Sequence, residues 1–231
     1  MATNKAVFLF DVDNTLLNHD KVTADLRQHL QKEVGGDKAK RYWEFFEQIR
    51  SELGYADYLG ALQRYRMENK RDPNLLPVSY FLLSYPFANR LFPGSIDAVQ
   101  HVGQWGPTVI LSDGDVVFQP RKIYRSGLFE VFDGRVLIYV HKEEELQDVE
   151  QRYPADHYVM MDDKLRILTA MKKAWGSRLT TVFVRQGHYA HDQKANASFP
   201  PADITLERIG ELTEHNLDAL LAAPRAKGSS V

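Results

Sequence analysis

From Ala6 to Phe10 the chain runs through five apolar residues, then meets two carboxylates one residue apart, Asp11 and Asp13, with a hydroxyl at Thr15. So short and so apolar a run reads as a strand buried on both faces of a parallel sheet. In open α/β sheets, ligands bind just beyond the carboxyl ends of the strands. Two acids are thus delivered to the place where such an architecture does chemistry. The run is too short for the core of a secretory leader and stops at acids, so no leader is expected.

The segment after the first strand narrows the fold further. From about Leu16 to Arg90 the sequence offers no convincing strand. Val22, Leu26, Leu30 and Val34 recur at helical spacing, with Thr23 as an N-cap and Gly35-Gly36 as a stop. Trp43, Phe46, Ile49 and Leu53 mark a second helix ended by Gly54, and Tyr58, Leu59, Leu62 and Tyr65 a third. A fourth spans Leu75 to Tyr85 and stops at Pro86. Beyond Pro93 the pattern changes to helices alternating with short apolar runs, Val109–Leu111, Val136–Val140, Tyr158–Met161 and Thr180–Val184, then a short strand and helix from Ile204 to Leu221. That alternation predicts a doubly wound parallel sheet covered on both faces, an α/β fold interrupted by a helical insertion. The expected division is a core of residues 1–16 and 91–222, a helical segment of 17–90, and a frayed Gly/Ser-rich tail of 223–231.

The composition closes off several functions. Twenty-nine basic against 31 acidic residues give a net charge of −2, so no global positive field exists to hold nucleic acid or an anionic membrane. No apolar stretch reaches membrane-spanning length. The chain contains no cysteine, which rules out disulfides, thiolate metal sites and cysteine nucleophiles, and suits a cytoplasmic location.

Four strand ends carry groups able to do chemistry: Asp11 with Asp13, Ser112 with Asp113, Lys142, and Asp162 with Asp163. In a parallel sheet these ends point the same way and can converge. Clustered carboxylates need a counter-ion, and oxygen-only ligands favour a hard cation such as Mg²⁺. With a lysine and a hydroxyl added, the cleft suits a phosphoryl group.

In its order of motifs the chain resembles the haloacid dehalogenase superfamily over nearly its whole length. Asp11–Thr15 matches the first motif, Asp-x-Asp-x-Thr. Ser112 stands for the second, Lys142 for the third, and Asp162-Asp163 for the acidic fourth, while the helical insertion resembles that family's C1-type cap. The resemblance implies Asp11 as a nucleophile that takes up the phosphoryl group, and Asp13 as acid and base that also lends its backbone carbonyl to Mg²⁺. Ser112 and the N–H of Asp113 would hold phosphoryl oxygens, with Lys142 steadying nucleophile and phosphate. Asp163 is favoured as direct metal ligand over Asp162, and Thr15 as a brace for the loop. The chain departs from the family in having Glu143 where a proline often follows the lysine, and Asp162 where many relatives have glycine. Lys122 is the alternative third-motif lysine, disfavoured because it falls inside a helix.

The expected activity is hydrolysis of a small phosphorylated metabolite, with substrate choice lying in the cap. A phosphotransferase or mutase shares the first step. A dehalogenase resembles the chain in fold, but that branch replaces the acid at Asp13. A phospho-receiver domain would carry its acceptor on a later strand and lack the insertion. A non-catalytic binding relative would be expected to lose Asp11 or Asp13. Other features have plainer readings. His188 and His191 read as a solvated loop without an acid partner. The cap aromatics read as bundle core that could contribute a homodimer surface, and Glu143–Glu145 as the acidic first turn of a helix.

Overall fold

Alternation of apolar residues along the first strand sends Phe8 and Phe10 to one face and Val7 and Leu9 to the other, and both faces are covered. The computed structural model describes residues 4–221, so the tail expected at 223–231 lies outside the described residues. Six strands form one parallel sheet: β1 (Asn4–Phe10), β2 (Thr108–Asp113), β3 (Val136–Tyr139), β4 (Ala155–Asp162), β5 (Leu179–Val184) and β6 (Ile204–Leu206). Their order is β3-β2-β1-β4-β5-β6, so the chain starts in the middle and winds outward both ways.

The helices in chain order are α1 (His19–Val34), α2 (Gly36–Leu53), α3 (Tyr58–Glu68), α4 (Leu75–Ser84), α5 (Ser95–Gly103), α6 (Phe118–Arg125), α7 (Leu128–Val131), α8 (Leu146–Arg152), α9 (Leu165–Trp175), α10 (Gly187–His191), α11 (Gln193–Asn196) and α12 (Leu217–Leu221). One sheet face buries Val149 of α8 and Ile167, Leu168 and Met171 of α9. The other meets Val99 and Val102 of α5 and Ile123 of α6, and its core runs on into the helical segment through Leu16, Val22, Leu26, Tyr42 and Phe46. The sheet and the four inserted helices therefore share one continuous apolar core.

Three local expectations give way to different chemistry. Asn18, not Thr23, caps α1: its side chain accepts from the Lys21 N–H at 2.9 Å, while Thr23 sits a turn inside the helix and bonds Tyr58. Gly35 alone, at φ +84°, separates the first two helices, and Gly36 already belongs to the second. Glu143 and Glu144 fall in a 3₁₀ turn that precedes α8, and Glu143 pairs with Arg166.

The inserted helices leave and rejoin the sheet at one place. Phe92 N–H donates to Leu16 C=O at 2.9 Å and Asn18 N–H to Arg90 C=O at 2.8 Å, tying the start of the inserted segment to its end. Among the described residues, no helix is long and apolar enough to cross a membrane.

Candidate active site

Strand register decides which side chains meet. Phe10 of β1 pairs with Ile110 of β2 and with Met161 of β4. One residue further along, Asp11 and Asp162 stand level, and one further again, Ser112 and Asp163 do. The strand β3 follows with Tyr139 opposite Asp113, which brings Lys142 over the same rim. An extended chain advances about 3.3 Å per residue, so a slip of one pairing would pull these groups apart.

The first strand turns sharply once it has presented its acids. Leu16 and Leu17 N–H groups return to Val12 C=O, and Asn14 adopts a left-handed φ of +61°. Asn tolerates that conformation better than most residues. Its side chain exchanges hydrogen bonds with Asp20, at 3.0 Å to the carboxylate and 3.1 Å from the Asp20 N–H. Thr15 Oγ donates to Asp11 Oδ2 at 3.2 Å and so braces the carboxylate of its own turn.

At the centre lies Lys142, fully buried, with Nζ 2.5 Å from Asp11 Oδ1 and 2.7 Å from Asp162 Oδ2. Burial alone would strip its proton, but the Asp11 and Asp162 charges prevail and push its pKa up. Asp163 is placed differently. Both of its carboxylate oxygens are buried and neither has a hydrogen-bond partner. Burial, followed by the Asp162 and Asp11 charges, pushes its pKa well up in spite of Lys164 next door. Asp162 is also shifted upward, chiefly by burial.

Ligand oxygens of Asp11, Asp162 and Asp163 lie within 4.8 Å of one another. Three carboxylates face the ammonium groups of Lys142 and Lys164, leaving one negative charge in excess. A buried carboxylate without a partner costs several kcal/mol. A hard divalent cation would more than offset the excess charge and give the orphaned oxygens a partner, so this donor set fits Mg²⁺. Asp162 is engaged by Lys142 and by the Lys164 N–H at 2.8 Å, which leaves Asp163 the freer of the pair.

The second acid is held by a residue that the sequence offered only as an alternative. Lys122 Nζ reaches Asp13 Oδ1 at 2.6 Å and Oδ2 at 2.7 Å, and also Gln119 Oε1 at 2.7 Å. Lys142 and Lys122 therefore each pair with a different aspartate of the first motif. Burial opposes ionisation of Asp13, but His19 and Lys122 outweigh it and hold its pKa down to about 2. As it stands, Asp13 is a charged acceptor.

Ser112 lies in the buried floor. Its Oγ accepts from Gln119 Nε2 at 2.9 Å and donates to its neighbour's carbonyl, Asp113 O, at 3.3 Å. Asp113 turns its carboxylate onto the Lys142 N–H at 2.8 Å.

Sequence reasoning missed Gln119, His19 and Lys164. Gln119 and Lys122 are three apart on α6 and share a face, a spacing that was legible once the helix was placed. His19 opens α1 with Nδ1 3.4 Å from Asp13 Oδ1 and Nε2 2.8 Å from the Tyr58 hydroxyl, itself 3.0 Å from Thr23 Oγ. No local pattern announces that meeting. His188 corrects the expectation of a solvated loop without an acid: its Nδ1 lies 2.6 Å from Asp20 Oδ1 and its N–H donates to Asp20 Oδ2 at 2.8 Å. The partner was hidden because it is 168 residues away in the chain. The aromatics of the inserted helices are likewise more than bundle core. Trp43, Phe46 and Tyr58 help to wall a cleft of about 730 Å³ that opens above Asp13 and Lys122.

A family profile described as haloacid dehalogenase-like hydrolase matches residues 5–174. Among solved structures, a haloacid dehalogenase-like hydrolase from Burkholderia xenovorans LB400 is 65% identical, with a TM-score of 0.88 over 92% of this chain and 99% of the other. A haloacid dehalogenase-like family hydrolase from Xanthomonas campestris aligns at 18% identity and a TM-score of 0.65 over 97% of each chain. The L-2-haloacid dehalogenase of Xanthobacter autotrophicus, with chloropropionic acid covalently bound, aligns at 16% and 0.57, over 92% of this chain and 98% of its own. Among curated proteins none matches at a significant level. With most of its length under the family profile and a near relative aligned almost end to end, the chain belongs to the haloacid dehalogenase-like hydrolases.

Proposed function

We propose that this hydrolase is a Mg²⁺-dependent phosphatase of a small phosphorylated metabolite, working through a phosphoryl-Asp11 intermediate. The observation that carries this reading is the Asp163 carboxylate, buried without a partner beside Asp11 and Asp162. Expelling a halide from carbon needs neither a cation nor a proton donor. Cleaving a phosphate ester gains from both.

Asp11, Asp163 and the backbone carbonyl of Asp13 would hold the metal, with Asp162 supporting them through Lys142. When bound, Mg²⁺ would neutralise charge on the phosphoryl oxygens. Asp11 attacks phosphorus, and the bond from phosphorus to the leaving oxygen breaks. Lys142 holds Asp11 in place and offsets the charge that gathers there. Asp13 gives its proton to the leaving oxygen, then takes one from the water that cleaves the Asp11–phosphorus bond. Its pairing with Lys122 favours the charged form suited to the second step. The first step requires that pairing to loosen so that Asp13 can carry a proton. Water is kept from the first step by the helical segment, which we read as a cap of residues 17–90 over a core of 1–16 and 91–222.

The test is phosphate release from a panel of phosphomonoesters, with Mg²⁺ and with excess chelator. We expect turnover that the chelator abolishes and that Asp11→Asn lowers by about 10³-fold or more. Turnover that survives both would overturn the proposal, as would halide release from a 2-haloacid with no phosphate release from any ester.

A further inference from the structure

The cleft is larger than a phosphoryl group needs, and its outer wall has a consistent chemistry. Helix α1 lines it with Asp20, Thr23 and Arg27, and α2 with Trp43, Phe46 and Arg50, in each case positions three to seven apart on one helical face. The Arg27 guanidinium lies over the Trp43 ring, 4.0 Å from its centroid. Contact of this kind holds a guanidinium against an aromatic face while its N–H donors stay available to bind.

The other charges on this wall are already engaged. Arg50 reaches the Tyr189 hydroxyl at 2.5 Å and Glu47 at 3.5 Å. Arg166 is paired with Glu143, and Asp20 with His188 and Asn14. Arg27 is exposed and, among the described residues, has neither a carboxylate nor a hydrogen-bond partner. It is a positive group held in position with nothing to bind. Helix α1 also acts as a ruler. Its first residue, His19, touches Asp13, and Arg27 comes eight residues later, about 12 Å along the axis at 1.5 Å per residue.

We propose that Arg27, seated on Trp43, binds a second anionic group at the far end of the phosphomonoester substrate, a carboxylate or a second phosphate separated from the reacting phosphate by a spacer of several atoms. This rests on the phosphatase reading and adds the class of substrate to it. A planar guanidinium recognises either anion through paired N–H donors, so the two share one chemistry.

The experiment uses three matched series of increasing spacer length: ω-phosphooxy carboxylates, diol monophosphates with a neutral end, and diol bisphosphates. Values of kcat and KM are measured for the wild type, Arg27→Gln, Arg27→Lys and Lys32→Gln, the last removing a charge from the same helix outside the cleft. The wild type should prefer an anionic end over the neutral one by about tenfold or more in kcat/KM. In Arg27→Gln that ratio should fall to within about twofold of unity, mainly through KM as expected for lost binding, with Arg27→Lys keeping part of it and Lys32→Gln all of it. Whichever anionic series leads assigns the end group. Hydrolysis of the neutral series with no wild-type preference for an anionic end, or a preference that survives Arg27→Gln, would overturn this inference and leave the phosphatase standing. No hydrolysis of any series would overturn both.

Discussion

Asp13 sits between two nitrogen bases, Lys122 on one side and His19 on the other, and their charge states set what it can do. His19 has an unfolded pKa near 6.5; burial, with the nearby Lys122 charge, holds it down to about 4 in the fold, although Asp13 pulls the other way. Between those two values the unfolded chain binds the proton that the folded chain refuses. Stability contributed by neutral His19 is therefore present above about pH 6.5 and is lost as the pH falls towards 4, by roughly 3 kcal/mol. Replacing His19 with Gln should remove that component. Urea unfolding at about pH 7 and about pH 4 should show the variant losing less stability on acidification than the wild type does. Equal losses would contradict the assignment. His19 could not be read from the sequence because a turn built on left-handed Asn14 decides where it lands. Asp11 could be read, because it simply ends an apolar run.

Helix α6 links the site to the inserted helices. On one side Gln119 and Lys122 hold Ser112 and Asp13. On the other, Arg121 donates to Leu83 C=O at 2.9 Å and Arg125 to Ser84 C=O at 3.1 Å, which satisfies the end of α4 with positive charge. The short helix α10 docks from the opposite side, and its first residue has no room for a side chain. Gly187 has φ +73°, and a Cβ there would lie 2.4 Å from the Cβ of Asn14. Gly187→Ala should cost roughly 2–3 kcal/mol through strain and overpacking and should disturb the Asn14 turn. Calorimetry should show a lower melting temperature, and phosphate release should fall with it; an unchanged melting temperature would contradict this packing. Elements of this kind were legible as helices from their apolar spacing. Their partners were not, because contacts such as Asp20 with His188 join segments far apart in the chain.

At the scale of the molecule, a parallel sheet that starts at its centre brings the ends of β1 to β4 to one rim, and the inserted helices leave and return beside it at Leu16 and Phe92. The parallel α/β core was readable because buried strands are continuous apolar runs bounded by polar turns. The doubly wound class was expected from strands alternating with helices, and the order of the six strands agrees with it. The walls of the cleft were less readable. Trp43 and Phe46 have the spacing of ordinary bundle core, and only the cleft they share with Asp13 and Lys122 makes them a lining. The proposed activity depends above all on Asp11 becoming covalently phosphorylated. The measurement that tests this most directly is a rapid acid quench of the enzyme turning over a phosphomonoester labelled in its phosphoryl group, followed by peptide mapping. Label held by the peptide that contains Asp11, and absent from the Asp11→Asn variant, is the predicted result. Phosphate release with no label on the protein at any quench time would contradict it, and would mean that water attacks the ester directly.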